Sequence, residues 1–474
     1  MIESQFPCLL DYFCHQVSTR ADSLALMGLH ENRLLRFSWN ELAAHVLGRA
    51  GELESLFEAQ PQLPRHAGYL SGNSVQDVIT SLACPLAGAI EVPFDANIGN
   101  EAARIFRDQV DGHWLDHHQP FSKVDHPLPI DLVQLIAAKT QAIDIDSPAL
   151  ILWTSGTMSA PKGVVLSHRN LCLNAAAKLA AVPQVPSDVR LTSLPICHAY
   201  ARTSDLGTWL QSGCALAIGR GYDAWKTIAS KVQPTLANTV PSLSERLLAS
   251  DRDAVGTSRL RLLGCGGAAM DAAAFDAWKN RGVTVIQGYG LTEASPVICS
   301  ATPDSATAGL VGNFVDGWEA EIRDQRLFVR GPHLMQGYWN DPNETARRIQ
   351  AGWLDTGDLV QIDPATGQVR ILGRADDVIV LSNGYKVHPA SIETRLQRLP
   401  SIRHAVIVGA DRSIELWLDA DETPGLITAV KNQLANLSTW QQPTAIRFFD
   451  TPLTGTELTA KGSIRRAEVM RRFS

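Results

Sequence analysis

The stretch Trp153-Thr154-Ser155-Gly156-Thr157-Met158-Ser159-Ala160-Pro161-Lys162-Gly163 brings small hydroxyl residues, a glycine and a lysine together in one segment. It lies between two apolar, β-branched runs, 149–153 and 164–166, and this pattern predicts a loop between two paired strands. A Walker loop is excluded, because that motif needs Gly-x4-Gly-Lys-Ser/Thr and then a helix. Gly156 would let the backbone approach a polyanion, and Lys162 would neutralise its charge. The hydroxyls that could donate hydrogen bonds belong to Thr154, Ser155 and Thr157. The loop therefore predicts a phosphate-binding site, with a solvated loop as the alternative.

Size and composition define the broad class of protein. The chain has 474 residues, which is too long for one ordinary core and predicts two or more domains. Its 45% hydrophobic and 19% charged residues are typical of a globular protein. The 42 basic and 49 acidic residues give a formal net charge of −7. Because the sequence also lacks a basic tract, it argues against a nucleic-acid partner.

The sequence predicts a cytoplasmic protein without a membrane span. Residues 1–5 carry no positive stretch of the kind that begins a secretion signal, and the apolar stretch 81–94 is interrupted by Pro85 and Glu91. The eight cysteines are scattered without a CxxC pair, which favours reduced thiols over a disulfide framework or a zinc site. Peripheral contact with a membrane is left open.

Alternating helical and strand patterns predict an α/β architecture in the first part of the chain. The patterns favour helices over 41–59 and 75–88 and strands over 67–71 and 90–94. This order is typical of a sheet with crossover helices.

The pattern of residue types changes at Gly352, where a turn-rich passage that predicts short hairpins begins. We place a domain boundary near Gly373-Arg374. The prediction is an α/β domain over 1–372 and a small α+β domain over 373–474.

A second glycine cluster supports a rival interpretation. Residues 264–269, Gly-Cys-Gly-Gly-Ala-Ala, fit the GxGxxA pattern between a predicted strand over 260–263 and a predicted helix over 271–279. The next strand, 283–286, is followed by Gln287-Gly288-Tyr289 and not by the carboxylate that would bind a dinucleotide ribose. A Rossmann oxidoreductase is therefore disfavoured. A serine hydrolase is excluded, because no Gly-x-Ser-x-Gly elbow occurs in the sequence.

The cluster His113-Trp114-Leu115-Asp116-His117-His118 suggests a metal site at first sight. It lacks the glutamate of the HExxH motif, and Pro120 would end a helix there. We therefore predict a polar surface loop at these residues.

Four further passages accompany the hydroxyl-rich loop. They are 287–293 (QGYGLTE), 355–358 (DTGD), 373–377 (GRADD) through 382–389 (SNGYKVHP), and 458–466 (LTAKGSIRR). In order and spacing, these motifs resemble the adenylate-forming superfamily of acyl-CoA synthetases, adenylation domains and beetle luciferases. The resemblance runs through nearly the whole chain. Within the superfamily, 194–203 (LPICHAYART) and 240–246 (VPSLSER) are similar to passages of the long-chain fatty acyl-CoA synthetases.

The resemblance implies the fold and the reaction. It implies a large multi-layer α/β domain that binds AMP and a small, mobile α+β domain. It also implies an ATP-dependent acid:CoA ligase that forms an acyl-adenylate and then a thioester, with Mg²⁺ as cofactor. The expected partners are a carboxylic acid, ATP and coenzyme A, and an acyl carrier protein is an alternative acceptor.

The implied site residues suit this chemistry. A carboxylate attacks the α-phosphorus of ATP, so the site must offset negative charge that grows in the transition state. Glu293 is the implied Mg²⁺ ligand, Thr292 would donate to the α-phosphate, and His198 belongs to the implied catalytic group. The implied nucleotide-binding residues are Thr154, Ser155, Gly156, Thr157, Lys162, Gly266, Gly267, Ala268, Tyr289, Gly290, Asp358 and Arg374.

Three residues of the predicted small domain complete the implied machinery. Lys461 resembles the lysine that binds the incoming carboxylate and the α-phosphate, Asp376 occupies the position of the hinge, and Gly384 would line the thiol tunnel. Without the resemblance, Lys461 would be interpreted as a solvated lysine. Asn383-Gly384 would be interpreted as a hairpin turn.

The chain departs from the family pattern at Met158-Ser159, where most relatives have Thr-Gly. This departure motivates the hypothesis of a weakened homologue that binds nucleotide without turnover. The resemblance favours a fatty acid as substrate, with an aryl acid such as succinylbenzoate second. A third hypothesis keeps adenylation but transfers the acyl group to a carrier protein.

Overall fold

The structure is a computed structural model, and it describes residues 5–31, 33–97, 104, 107–115, 131–154, 162–382, 386–410, 413–458 and 464–473. The chain divides into two compact units. The first comprises Met1–Thr154, Pro161–Glu319 and Arg330–Gly352. The second comprises Ser155–Ala160, Ala320–Val329 and Trp353–Ser474. The second unit thus takes in hairpins that precede the predicted boundary at 373, and that boundary stays a prediction.

Strands and helices alternate along the first unit. The strands of the chain are β1 (Leu24–His30), β2 (Arg33–Ser38), β3 (His66–Ser71), β4 (Ile90–Asp95), β5 (His113–Trp114), β6 (Pro148–Thr154), β7 (Lys162–Ser167), β8 (Val189–Thr192), β9 (Ala215–Ile218), β10 (Leu236–Thr239), β11 (Leu262–Cys265), β12 (Thr284–Gly290), β13 (Val297–Ser300), β14 (Asn313–Phe314), β15 (Glu319–Arg323), β16 (Arg326–Arg330), β17 (Gly337–Tyr338), β18 (Ile349–Gln350), β19 (Trp353–Ile362), β20 (Val369–Arg374), β21 (Ile379–Val380), β22 (Lys386–Val387), β23 (His404–Ala410), β24 (Ser413–Asp419) and β25 (Ala445–Phe448).

The α-helices are Leu9–Arg20, Trp39–Ala59, Val75–Leu86, Leu132–Gln141, His168–Ala181, Ala199–Ala201, Thr208–Ser212, Gly221–Val232, Pro241–Leu248, Ala272–Asn280, Pro342–Arg348, Pro389–Leu396, Pro424–Leu434 and Arg466–Met470. A π-helical turn, Arg202–Gly207, continues Ala199–Ala201 into Thr208–Ser212. Short 3-10 turns are Thr292–Ala294, Ala375–Asp377, Thr439–Gln441 and Arg471–Phe473. Among the described residues, no helix is both long and apolar enough to cross a bilayer.

Two mixed sheets form the framework of the first unit. The larger has the strand order β14-β13-β12-β11-β10-β8-β9-β1-β2, and its strands from β12 to β1 are parallel. The smaller has the order β17-β7-β6-β4-β3-β5. In it β5, β3, β4 and β6 are parallel, whereas β7 and β17 are antiparallel to their neighbours. Parallel strands present their carboxyl ends at one edge, which is where ligands bind in α/β sheets.

Buried aromatic and aliphatic side chains hold the first unit together. Trp39, Trp209, Trp225 and Trp278 are each 0% exposed. Trp39 stacks on Trp209 with ring centres 5.1 Å apart, so the helix that starts at Trp39 is packed against the helix Thr208–Ser212. Ser38 caps the first of these helices by accepting from the Glu41 amide.

The second unit contains antiparallel pairings and a small sheet. β19 pairs with β16 and with β20, and β21 pairs with β22. The three-stranded sheet has the order β23-β24-β25, with β24 and β25 parallel. Helices Pro389–Leu396 and Pro424–Leu434 contribute Ile392, Leu396 and Val430 to one apolar cluster with strand residues of this sheet.

The predicted pattern of elements is confirmed in the first part of the chain. The helix predicted over 41–59 is Trp39–Ala59, and the strand predicted over 90–94 is Ile90–Asp95. The α/β class and a second, smaller α+β unit are confirmed as well.

The histidine cluster shows one wrong prediction. His113 does not lie in a surface loop: it is 3% exposed and forms β5, which pairs with β3. Sequence reasoning missed this because a two-residue strand has no periodicity of its own. His117 and His118 lie outside the described residues.

Candidate active site

The hydroxyl-rich loop connects two paired strands of the smaller sheet. β6 ends at Thr154 and β7 begins at Lys162, and these residues face each other in antiparallel register. The Thr154 hydroxyl donates to the Lys162 carbonyl over 3.4 Å. The predicted hairpin-like connection is therefore confirmed at its base, whereas Ser155, Gly156 and Thr157 lie outside the described residues.

Lys162 forms an ion pair within the first unit. Its Nζ lies 2.6 Å from Glu344 Oε1 and 5.4 Å from the centre of the Tyr338 ring. Hydrogen bonds from Arg347 and Lys162 lower the pKa of Glu344 to about 2, so this carboxylate is ionised at neutral pH. The Lys162 side chain keeps 25% of its surface exposed. A phosphate at this position would compete with Glu344 for the lysine.

Glu293 lies in the short turn that follows β12. This turn, Thr292–Ala294, is 3-10 helical, and Thr292 and Glu293 are both half-buried. The Tyr338 hydroxyl donates to Glu293 Oε1 over 2.8 Å. Burial and the Glu293 carboxylate raise the pKa of Tyr338, so its hydroxyl remains a donor. Tyr338 therefore contacts both the implied Mg²⁺ ligand and the implied phosphate-binding lysine.

The small residues of the predicted adenine slot follow the carboxyl end of β11. Gly266 is buried, whereas Gly267 and Ala268 are exposed. A Cβ at Gly266 would lie 3.0 Å from Cζ of Tyr200, so glycine allows this close approach. The neighbouring parallel strand is β12, which carries Tyr289. The structure thus brings the three small residues and Tyr289 to adjacent strand ends, and their binding of adenine stays a prediction.

The local backbone geometry explains why position 290 is a glycine. A Cβ at this position would lie 1.9 Å from the Pro296 carbonyl oxygen, because β12 and β13 approach each other closely at an irregularity in their register. Only glycine fits there, whatever its role toward the nucleotide.

A buried polar network lies next to Gly264 of β11 and Gly266, which follows this strand. The Tyr200 hydroxyl donates to Asn238 Oδ1 over 3.2 Å, and Asn238 Nδ2 donates to Asp205 Oδ1 over 2.7 Å. Asp205 also accepts from Arg190 over 2.5 Å and from Thr192 over 2.7 Å. Asn238, Asp205, Arg190 and Thr192 are all buried. We call these four residues and Tyr200 the Asn238 network.

His198 lies where strand ends from both sheets of the first unit converge. Its Nε2 is 3.7 Å from Oδ2 of Asp95, the last residue of β4. Asp95 is also paired with Arg220, which follows β9 of the larger sheet. Burial would raise the pKa of Asp95, but the neighbouring His198 and the hydrogen bonds from the Asn97 amide and Arg220 outweigh it and lower the pKa. His198 is therefore held beside an ionised carboxylate.

Asp95, Cys197 and His198 form the one group, within the part of the chain that the structure describes, whose atoms lie close enough to share a metal ion. These atoms all lie within 4.8 Å of one another. Arg220 already bonds to Asp95 Oδ1, and burial raises the pKa of the Cys197 thiol to about 12. A cation would have to displace the guanidinium and deprotonate the thiol. The arrangement therefore favours a histidine paired with a carboxylate over a metal site.

Asp358 and Arg374 face each other across β19 and β20 in the second unit. Arg374 Nη1 lies 3.1 Å from Asp358 Oδ1 and donates to the Thr356 carbonyl over 3.0 Å. Gly357 has φ +73°, and a Cβ there would lie 2.6 Å from Arg374 Nη2. Glycine is thus required where the arginine crosses the strand. The two residues that the resemblance assigns to the ribose form one pair.

The remaining predicted residues belong to the second unit. Asp376 is exposed and lies in the 3-10 turn Ala375–Asp377, directly after β20. Gly384 and Lys461 lie outside the described residues, and their roles stay predictions.

Sequence reasoning missed Tyr338, Glu344, Asp95 and the Asn238 network. Tyr338 reaches Lys162 because β17 pairs with β7, with Tyr338 opposite Val164. No motif spacing links residues so far apart in sequence.

Comparisons with known proteins agree with this arrangement. The profile of the AMP-binding enzyme family matches residues 13–339, and that of the AMP-binding enzyme C-terminal domain matches residues 376–420. A feruloyl-CoA synthase from Amycolatopsis sp is 27% identical over 440 residues, which cover 85% of this chain and 87% of the relative. A long-chain-fatty-acid–CoA ligase from Yersinia pestis is 30% identical over 296 residues, which cover 58% of this chain and 52% of the relative. The crystal structure of an anthranilate CoA ligase in complex with anthranoyl-AMP superposes with a TM-score of 0.80 at 19% identity and covers 100% of this chain and 99% of that one.

The chain belongs to the AMP-binding enzyme family. Its fold is the adenylate-forming fold, with a large α/β N-terminal domain and a small C-terminal domain. It is an AMP-forming acid:CoA ligase, which uses ATP to form an acyl-adenylate and coenzyme A to form the thioester.

The Lys162–Glu344 pair leads to a first prediction. Glu344→Gln should lower the KM for ATP by about 2- to 5-fold, because a partly exposed ion pair contributes up to about 1 kcal/mol that the phosphates no longer have to displace. Steady-state kinetics with varied ATP at low ionic strength measures this change. Glu415→Gln serves as a matched control, since Glu415 is paired with Arg447 in the second unit. An increased KM for ATP in Glu344→Gln would instead show that Glu344 positions the lysine.

Proposed function

We propose that this ligase activates an aromatic carboxylic acid that carries a polar substituent, and transfers its acyl group to coenzyme A. The observation that carries this proposal is the Asn238 network, which lies against Gly264 and Gly266 beside the proposed nucleotide slot.

In an acyl-adenylate the acid is joined to the α-phosphate, so the acid must begin next to the residues that bind the nucleotide. Gly266 belongs to that group, and it contacts the ring of Tyr200. Tyr200 is therefore proposed to line the acid site. An aromatic acid can pack against this ring, and edge-to-face or offset stacking adds to the burial of its area.

The polarity of the network favours a polar substituent. Asn238 and Asp205 are already buried and hydrogen-bonded, and a long alkyl chain that ran past Tyr200 would offer the hydroxyl of that residue no hydrogen bond. A hydroxyl or similar group on an aromatic ring can exchange hydrogen bonds with Tyr200 and Asn238 instead. The relation to the feruloyl-CoA synthase supports this choice.

A fatty acid is the second candidate. It is supported by the relation to the Yersinia pestis ligase, whose name specifies long-chain fatty acids, and by the passage 194–203. The two candidates differ in what the acid site must accommodate, and substrate selection distinguishes them.

In the proposed first half-reaction, the carboxylate attacks the α-phosphorus of ATP and pyrophosphate leaves. Lys162 and Thr154 bind the phosphates, and Thr292 donates to the α-phosphate. Lys461 binds the carboxylate oxygen and the α-phosphate as charge develops there. Asp358 and Arg374 hold the ribose, and Tyr289 packs against the adenine.

Glu293 is the proposed Mg²⁺ ligand. Tyr338 donates to one carboxylate oxygen, Oε1, and a carboxylate offers a second oxygen to a hard cation. When bound, Mg²⁺ neutralises phosphate charge and supports the departure of pyrophosphate. The half-buried position of Glu293 fits the role of a metal ligand, and Tyr338 orients the carboxylate.

In the proposed second half-reaction, the C-terminal residues turn about Asp376, and the thiol of coenzyme A reaches the acyl carbon past Gly384. The thioester bond forms, the bond to the phosphate breaks, and AMP leaves.

The sequence also motivated two other hypotheses: transfer to a carrier protein, and a weakened homologue with the Met158-Ser159 departure. Pyrophosphate release with and without coenzyme A separates the weakened homologue from an active ligase. Acylation of a carrier protein in place of coenzyme A would support the other alternative.

A substrate panel with one matched pair of variants tests the proposal. We expect hydroxylated aromatic acids to give the highest kcat/KM, compared with unsubstituted aromatic acids and straight-chain acids of increasing length. Tyr200→Phe should reduce the preference for hydroxylated over unsubstituted aromatic acids by about 5- to 10-fold, the value of one hydrogen bond. Tyr222→Phe is the control, because the Tyr222 hydroxyl bonds to Ser250. Highest kcat/KM on long straight-chain acids would establish the second candidate instead.

A further inference from the structure

A buried ion pair joins three elements of the second unit. Arg466 Nη2 lies 2.6 Å and 2.8 Å from the two carboxylate oxygens of Glu393, and Arg466 Nη1 donates to the Ile407 carbonyl over 2.7 Å. The Ile407 amide donates to Glu393 Oε1 over 2.7 Å. The side chains of Arg466 and Glu393 are only 17% and 9% exposed. The helix Pro389–Leu396, β23 and the helix Arg466–Met470 are therefore fixed at one point.

The same arginine faces the turn that follows β20. Arg466 Nε lies 3.7 Å from Asp377 Oδ1, which is the distance of an ion pair and not of a hydrogen bond. Asp377 is the neighbour of Asp376, the proposed hinge residue. The guanidinium group thus uses different nitrogens toward the helix, the strand and the hinge turn.

Arg466 is also close in sequence to the proposed catalytic lysine, which precedes it by five positions. Leu458 and Ile464, on the two sides of 459–463, form a β-bridge, and the Arg465 amide donates to the Glu457 carbonyl over 2.7 Å. The described residues on both sides of this segment are therefore paired with each other. Arg466 attaches the C-terminal side of that pairing to the body of the second unit.

We infer that Arg466, together with Glu393, is a positioning residue for the adenylation half-reaction. It holds the segment after Lys461 and the turn at Asp376-Asp377 on one rigid body, so that rotation about the hinge carries the lysine as a unit. This inference rests on the proposed roles of Lys461 and Asp376.

The physical reason lies in the precision that charge stabilisation needs. A cation lowers the barrier only if it is already placed where charge develops, and a misplacement of about 1 Å can cost about 100-fold in rate. Arg466 bonds to both carboxylate oxygens of Glu393 through one nitrogen and to the Ile407 carbonyl through another, which fixes the position and the plane of the guanidinium. Since this pair is mostly buried, solvent does not replace it when one partner is lost.

Arg466→Met in the full-length chain tests the inference. We expect pyrophosphate release to fall by about 10-fold or more in kcat, with a smaller change in the KM for ATP, because the nucleotide residues of the first unit are untouched. Thioester formation from supplied acyl-adenylate should change by less than about 3-fold. Arg466→Lys keeps the charge but not the planar group that bonds to Glu393 and Ile407 at once, and it should recover part of the lost rate.

Three comparisons make the outcome decisive. Arg447→Met removes another arginine–glutamate pair of the same unit, with Glu415, and should leave both half-reactions unchanged. Glu393→Gln provides a second route if Arg466→Met does not fold, since the amide can still accept from Ile407 N–H; it should also lose adenylation selectively. Equal loss of both half-reactions in folded variants would overturn the inference and indicate a structural role. Lys461→Ala is assayed in parallel: if it loses adenylation while Arg466→Met and Glu393→Gln do not, the inference fails and the proposed function stands.

Discussion

Lys461→Ala is expected to lower the rate of adenylate formation by about 100-fold or more, as for the loss of a preorganised charge at a developing anion. Two negatively charged groups meet in this step, because the carboxylate approaches the α-phosphate of ATP. A lysine that contacts both lowers the barrier more than it lowers the energy of the bound substrates. The effect should therefore appear mainly in kcat.

The second half-reaction distinguishes this role from a general loss of function. Thioester formation from supplied acyl-adenylate should be far less affected in Lys461→Ala, since in the proposed rotation the lysine has left the site before the thiol attacks. Pyrophosphate release and thioester formation are measured on the same protein. Lys431→Ala, which removes an exposed lysine of the second unit, is the matched control and should leave both rates unchanged. A comparable loss in both half-reactions would contradict the proposed role.

Asp376→Pro is expected to have the opposite pattern, with adenylation largely retained and thioester formation strongly reduced. Proline fixes φ near −65° and removes a backbone donor, and a 3-10 turn such as Ala375–Asp377 accommodates that φ. The substitution should therefore permit the present turn but restrict rotation about it. The conformation that ATP and the acid select would remain accessible.

The measurement is a paired assay of pyrophosphate release and CoA thioester on the variant and on Asp376→Ala. The alanine variant removes the exposed carboxylate but leaves the backbone free to rotate, so it should form thioester at close to the normal rate. Thioester formation at the normal rate in Asp376→Pro would refute the hinge. It would also refute the idea that Lys461 withdraws before the thiol enters.

Much of the local structure could be predicted from the sequence. The loop before Lys162 lies between two apolar runs, and β6 and β7 pair across it as expected. The pairing of Asp358 with Arg374 is also of this kind, because a hairpin of short-range turns brings β19 and β20 together. In both cases the information lies in a few consecutive residues.

The contacts of the candidate site could not be predicted in the same way. Lys162 was assigned to phosphate, but its partnership with Glu344 arises from a segment more than 170 positions later. Tyr338 contacts Glu293 only because β17 is placed at the edge of the smaller sheet. His198 and Asp95 meet because strand ends of two different sheets converge. None of these pairs has a fixed spacing that a motif could record.

The residue types available for phosphate, magnesium and ribose follow from the amino-acid order alone, and so does the alternation of helices and strands that carries them. These properties depend on short-range periodicity and on turn residues, which a linear pattern contains. Which charges are already paired, and which polar groups lie beside Gly264 and Gly266, follows from the folded arrangement. Those properties depend on sheet order and on long-range packing, which place residues distant in the chain in one buried environment. The low dielectric constant of that environment strengthens the electrostatic interactions between its charges.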